Sequence, residues 1–361
     1  DTLALKLSAY YNTDKGWHDR DLCGPTCVAT AFGFGGTLAA LQGLGYPIAT
    51  DTAAGSANHG AAETWMVRPS LLWQPTENFE LLLRYEHGDS EGDGASSQNH
   101  PGFTQAAFLP SGPPAPVPST NFLYSAPKDS FTFSIDEPGF YNFSWDAVTA
   151  EFNLDVGFGD GRITNVFGWR STDGSTRGDI DGTPYFLFHA GSLSTYEQLS
   201  NEIRYTGRFG DILDATIGFY YFNSDQGYQE ERYILAGFRR FFGGGLQDSR
   251  QYGAFGQFEL DLSDNFSLIG GARYTNERKS VELANITLNN FPSTGGYVGP
   301  SCSIFDGSCG VDFAETTTWT NITPKAGFQW TPREDLNVYG HWTQGVRSGG
   351  YNFRNTSIVF P

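Results

Sequence analysis

The chain has 361 residues, a formal net charge of -18, 45 glycines, a single methionine and 16% aromatic residues. That length suits one large barrel or two ordinary domains, and abundant Gly, Phe and Tyr with so little Met suits β structure better than helix. The acidic balance excludes a nucleic-acid partner, because phosphate recognition needs clustered Lys and Arg.

No signal peptide is visible at Asp1, so the start reads as either a mature terminus or a cut, and the alternating run that opens the chain without a lead-in favours a cut. Leu3, Leu5, Leu7 and Ala9 share one side of the first predicted strand, Asp1 to Tyr11, with Lys6, Ser8 and Tyr10 on the other. A loop of roughly fifty residues follows, to about Ala62. Within it, Val28 to Thr50 is uncharged, but Gly33, Gly35, Gly36, Gly43, Gly45 and Pro47 cost too much helix propensity for a membrane helix. The window reads as a Gly/Ala-rich loop with room for a short helix near Leu38 to Leu41.

Glu63 to Trp73 returns with Trp65, Val67, Leu71 and Trp73 on one face, and the turn Pro75 to Asn78 leads into Phe79 to His87. Gly88 to about Pro138 is a second long loop. Its Pro-rich tract, Ser111 to Pro118, cannot be a central strand and reads as an extended spacer. Alternation resumes at Tyr141 to Val156, turns at Gly159-Asp160-Gly161, and continues through Ile163 to Arg170 before a loop of roughly twenty-five residues. Leu199 to Phe209 and Leu213 to Tyr221 form the next hairpin. After a loop from Asn223 to about Gln247, Tyr252 to Leu262 and Phe266 to Asn276 form another. A last long loop, about Leu283 to Glu315, precedes Thr316 to Asn352, two alternating segments joined at Pro332-Arg333-Glu334-Asp335.

The count is about eleven strands in which short turns alternate strictly with long loops. One-sided loop length is the mark of an antiparallel transmembrane β-barrel with short periplasmic turns and long extracellular loops. Strands of nine to eleven residues match a tilted span, and Phe, Tyr and Trp near strand ends fit aromatic girdles. A spanning sheet must pair every backbone group. Bacterial barrels therefore carry even strand counts, so an odd count is expected of an internal fragment, here one domain over residues 1–361.

Two stretches, QYGAFGQFELDLSDNFSLIGGARYTNE within Ser249 to Asn276 and NITPKAGFQWTPREDLNVYGHWTQGVRSGGYN within Thr316 to Asn352, resemble barrel strands of TonB-dependent outer-membrane receptors of the iron-complex type. Leu199 to Asn223 and the opening DTLALKLSAYYNTDKGW resemble further strands of that family. The resemblance implies a barrel of about 22 strands, with an N-terminal plug, the TonB-contacting box, about two early strands and about nine later ones lying outside this chain. It also implies outer-membrane lipid as surroundings, TonB engagement through the plug, and a ferric siderophore or similar iron complex as ligand.

The sequence offers no catalytic constellation, and no cofactor site is read from it. Gly-x-Ser-x-Gly is absent, and Gly33, Gly35 and Gly36 lack the Lys of a phosphate loop. Cys23 with Cys27, and Cys302 with Cys309, each lie within one predicted extracellular loop, and read as two short disulfides more readily than as a zinc site. The six histidines, His18, His59, His87, His100, His189 and His341, show no metal-type spacing. His18 with Asp14, Asp19 and Asp21 reads as a solvated acidic loop, and no metal site is assigned.

Arg84, Glu86, Glu151, Glu202, Arg204, Arg208, Arg273 and His341 fall on polar strand faces, the lumen side of a barrel, where their expected role is pairing with one another or with a plug. Ligand contacts are expected from loop residues, with Trp17, Tyr46, Phe103, Tyr124, Tyr185, Tyr228 and Arg232 as candidates by location. A passive porin remains a competing reading, since this length approaches that of a sixteen-stranded channel. A secreted β-rich adhesin or enzyme is a third, without a catalytic constellation to support it.

Overall fold

The computed structural model describes residues 2–22, 55–97, 131–133, 135, 137–182, 188–234, 239–288 and 302–353. The described residues form a single sheet of twelve strands. Ten of these are β1 (Leu3–Leu22), β2 (Gly55–Thr76), β3 (Phe79–Gly92), β4 (Thr132–Phe133), β5 (Phe140–Val156), β6 (Gly161–Asp179), β7 (Phe188–Phe209), β8 (Leu213–Ile234), β9 (Arg239–Ser263) and β10 (Phe266–Leu288). The last two are β11 (Phe313–Arg333) and β12 (Leu336–Thr343). Eleven strands run as one antiparallel meander in chain order, and the two-residue β4 adds in parallel to the edge of β1. β1 and β12 do not pair, so the described sheet has two edges.

Each hairpin register follows from its short turn. Leu213 faces Phe209 across Gly210, Asp211 and Ile212, and the alternation then runs unbroken to Ile234 opposite Phe188. A slip of one residue would turn every apolar side chain to the polar face. The outward set of β8 and β9 includes Ile217, Phe219, Tyr252, Phe258, Leu260 and Leu262, all exposed. Large apolar side chains left exposed at this density mark a surface that meets lipid, not water. From Leu213 to Tyr221 that band is nine residues long, which matches a tilted crossing of the hydrocarbon layer. No helix of the described residues is long and apolar enough to cross a membrane.

A polar girdle closes the upper side of this band. On its outward face Asp146 accepts hydrogen bonds from Tyr85 Oη at 2.5 Å and pairs with His87 Nδ1 at 2.9 Å. Trp169 Nε1 donates to Glu197 at 2.8 Å, and Arg250 Nε donates to Asn223 at 3.4 Å. Indole and phenol rings with an apolar body and a polar tip belong at this boundary.

The strands do not stop at the girdle, and this corrects the sequence reading. β8 runs on to Ile234 and β9 begins at Arg239, where a loop from Asn223 to Gln247 was expected. β1, β2, β6, β7, β10 and β11 extend similarly into the expected loops. Above lipid neither face must be uniformly apolar, so alternation fades while the backbone ladder continues. The second strand of the final hairpin, by contrast, ends at Thr343 instead of Asn352. Beyond it the chain crosses the polar face of β10 and β11, where Lys279 Nζ donates to Ser348 Oγ at 2.9 Å and Gly349 O at 2.8 Å.

The strand extension beyond the girdle has its own small core, built on the outward face. Cys302 and Cys309 form a disulfide whose short loop presses Ile304 and Cys309 against Ala284, with Leu246 alongside. Nearer β1, a bulge between Lys15 and His18 requires Gly16 at φ +81°, and a Cβ there would lie 2.5 Å from His59 O. Only glycine accepts both conditions without strain.

Candidate lumen face and the extracellular extension

Register places Arg84, Glu86, Glu151, Glu202, Arg204, Arg208 and Arg273 on one face of the sheet, with His341 on the same face of edge strand β12. Pairing among them is local. Glu202 accepts from Arg204 at 2.9 Å, and Glu151 accepts from Asn153 Nδ2 at 3.1 Å. Arg208 lies beside the β7–β8 turn, where it binds Asp214, Asp261 at 2.7 Å and the Asp211 carbonyl at 2.6 Å. These partners hold the guanidinium along the sheet, so it serves as a turn clasp.

Two larger constructions occupy the same face. Glu86 accepts from Arg68 Nε at 2.6 Å and from Trp145 Nε1 at 2.7 Å, joining β2, β3 and β5. The indole can lie there because Gly88 has no side chain, and a Cβ would come within 2.2 Å of the ring. Arg84 and Glu86, with Lys6, Arg68, Ser70 and Thr149, line a groove of about 650 Å³. Farther round, Arg273 spans β8 to β10, with its guanidinium 5.4 Å from the Tyr220 ring centre and 5.6 Å from that of Phe255. Gly253 leaves room for the guanidinium, and Gly218 leaves room for Phe255. Cation–π contacts of this kind hold a cation on the wall without neutralising it.

The expected loop contacts fare differently. Tyr46, Phe103, Tyr124 and Tyr185, with Cys23 and Cys27, lie outside the described residues, as do the window at 28–50 and the Pro-rich tract at 111–118. Trp17, Tyr228 and Arg232 are strand residues, not loop residues, because β1 and β8 run past the girdle. Trp17 is exposed and stacks on His18 with ring centres 3.9 Å apart. Asp14, expected in a solvated acidic loop, instead accepts the Gly16 N–H at 2.8 Å inside the β1 bulge. Arg232 and Glu230 form a buried ion pair on the polar face, and Tyr228 Oη donates to Glu230 at 3.1 Å. A ligand could reach Tyr228 more readily than the buried Arg232.

Sequence reasoning missed a polar core on the outward side of the extension. Glu231 accepts from Arg177 Nη2 at 2.8 Å and from Tyr233 Oη at 2.9 Å. Tyr233 is 1% exposed, and burial followed by the neighbouring Glu231 pushes its phenol well above the ordinary value. It therefore stays neutral and donates. Asp179, Asp181 and His189 gather nearby where β6 meets β7. Only cross-strand pairing brings these residues together, so spacing along the chain gave no signal.

The comparisons with known proteins agree with this geometry. The pattern of the family described as TonB dependent receptor-like, beta-barrel matches residues 67–360. The chain belongs to the TonB-dependent receptor family. Such receptors are transporters of the Gram-negative outer membrane, not enzymes, and the strand-rich sheet fits that place. Among solved structures, this TonB-dependent receptor chain is similar to the ferric yersiniabactin uptake receptor FyuA from Yersinia pestis at 14% identity and a TM-score of 0.65. That match covers 98% of this chain and 44% of the other. The open form of the ferric-catecholate import receptor Fiu from E. coli K12 is similar at 15% identity and a TM-score of 0.54, covering 95% and 50%. The siderophore receptor PiuA from Acinetobacter baumannii is similar at 11% identity and a TM-score of 0.54, covering 78% and 42%. At these identities the likeness establishes the barrel fold alone. The chain spans half or less of each of these receptors' length. No curated protein sequence matches it.

Proposed function

We propose that this chain forms the central part of the barrel of an outer-membrane receptor that imports a ferric siderophore or another iron complex with energy delivered through TonB. The observation carrying this reading is the family match over residues 67–360, which joins a fold shared with ferric-siderophore receptors. In this reading the remaining length of the receptor supplies a plug, the TonB contact and the strands that pair with β1 and β12. A spanning sheet cannot leave those edges to lipid, because each unpaired backbone group in hydrocarbon costs several kcal/mol. Arg84, Arg204, Arg273 and His341 then face the plug or the solute, and Tyr228 stands above them at the mouth.

The chemistry suits such a task. Ferric siderophore complexes are large, polar and commonly anionic, and a wall that carries the Arg273 guanidinium stacked on Tyr220 and Phe255 attracts them over distance. The deciding experiment is growth of a strain lacking the whole receptor gene on single iron sources. Loss of growth on one ferric siderophore, restored by the intact gene, is the expected result. Unchanged growth on every iron source tested removes the iron assignment and leaves the fold untouched.

A further inference from the structure

The junction of β6 and β7 carries three ligating side chains that uptake does not use. Asp179 ends β6, Asp181 follows two residues on, and His189 in β7 is the cross-strand partner of Asp179. One ligand atom from each lies within 4.8 Å of the other two. Asp179 is 1% exposed and His189 2%, and Asp181 is partly buried. The outward face here is roofed by the segment after β3, whose Ser97 hydroxyl donates to the Asp179 carbonyl at 3.0 Å.

Both carboxylates are oriented by the backbone. Asp179 Oδ1 accepts the Gly182 N–H at 2.8 Å, and Asp181 Oδ2 accepts the Phe188 N–H at 2.6 Å. The Ile180 N–H donates to the Phe188 carbonyl at 2.9 Å and fixes the two chain ends against each other. Outer hydrogen bonds of this type aim the donors of a metal site and are part of its construction. The set also differs from an exposed acidic patch in two respects. It contains an imidazole nitrogen, and two of its three members, Asp179 and His189, are almost completely withdrawn from water.

We propose that Asp179, Asp181 and His189 bind a divalent transition-metal ion of the zinc class, which ties the end of β6 to the start of β7. One nitrogen and two oxygens make a borderline donor set, matched by Zn²⁺ and its neighbours. Ca²⁺ takes six to eight oxygens and finds only carboxylates from two residues here. Three protein ligands leave a fourth position for water or a neighbouring group. Zinc bonds of about 2.0–2.2 Å require the three atoms to draw together by less than about 1 Å each, a movement within reach of side-chain torsions.

The site stands apart from the uptake reading, and a receptor that failed to import iron would still bind Zn²⁺. The test uses the full-length receptor, stripped with chelator in detergent and titrated with Zn²⁺ by calorimetry, with elemental analysis and thermal melting in parallel. The expected result is one Zn²⁺ per chain and a Zn²⁺-dependent rise in melting temperature. His189→Gln and Asp181→Asn each weaken binding by at least about tenfold and abolish that rise. His87→Gln, which alters an imidazole at the girdle, leaves binding unchanged. Should the His189 variant not fold, the partly buried Asp181→Asn decides alone. Absence of binding, equal binding by wild type and Asp181→Asn, or Ca²⁺ binding as tight as Zn²⁺ overturns the proposal.

Discussion

Glu86 draws three strands together through one carboxylate, and the arrangement depends on a residue that takes no part in it. Trp145 reaches Glu86 across Gly88, where a Cβ would lie 2.2 Å from the indole. Gly88→Val therefore expels the ring, breaks its hydrogen bond and leaves Glu86 with Arg68 alone. Overpacking of this kind costs about 1–3 kcal/mol, read as a lower melting temperature of the full-length receptor in detergent, while Gly157→Ala, with open space around its Cβ, changes little. A second residue-scale effect lies in the disulfide loop. The Ser308 hydroxyl and backbone N–H hold the exposed Asp306 carboxyl below its ordinary value. A depressed carboxyl stabilises the loop above its ordinary range and loses that contribution as the pH falls through the lowered folded value. Reduction of Cys302–Cys309 by a phosphine, which needs the buried Cys309 to open, stays slow at neutral pH and accelerates only in acid. In Ser308→Ala that acceleration sets in at higher pH, and identical profiles for the two proteins contradict the assignment.

At the scale of elements, the outward and inward faces of one strand make opposite demands. Ile217 is 52% exposed on the lipid side, and Thr216 lies next to it on the polar side. Arginine at the bilayer midplane costs about 2–4 kcal/mol, so Ile217→Arg reduces folding of the receptor into lipid vesicles, whereas Thr216→Arg is much milder. A reversed order of the two variants would reverse the register of β8. This same contrast explains what was legible in the sequence. Leu213 to Tyr221 could be read because lipid imposes a strict period of two. The turns at Gly210-Asp211 and Pro332 to Asp335 could be read because only a few residue types make them. From Asn223 to Ile234, however, Ser224, Gln226, Tyr228, Glu230 and Arg232 alternate with Asp225, Gly227, Gln229, Glu231 and Tyr233, and both sets are largely polar. Nothing local distinguishes such a strand from a loop, since its stability comes from neighbours far away in sequence. The polar-face charges were therefore visible one strand at a time. The Arg177–Glu231–Tyr233 group and the Asp179–His189 pair required the ladder itself.

For the whole molecule, the decisive property is how a polar interior is coupled to energy. A wide sheet wall with Arg84, Arg204 and Arg273 on its inner side could serve either an open channel or a gated receptor, because both need wet, charge-tolerant lumens. The two differ in what drives solute inward. A porin equilibrates its solute and is indifferent to the inner-membrane proton gradient. A receptor of this family binds its solute outside and must spend that gradient, through TonB, to release it inside. Cells carrying the full-length receptor should accumulate a radiolabelled ferric siderophore, and a protonophore or loss of TonB should reduce the signal to that of surface binding alone. Small neutral sugars should enter no faster than in cells without the receptor. Uptake that persists without TonB would assign the chain to passive transport despite its family. Uptake that collapses while surface binding survives would show that import, and not binding, needs the energy delivered through TonB.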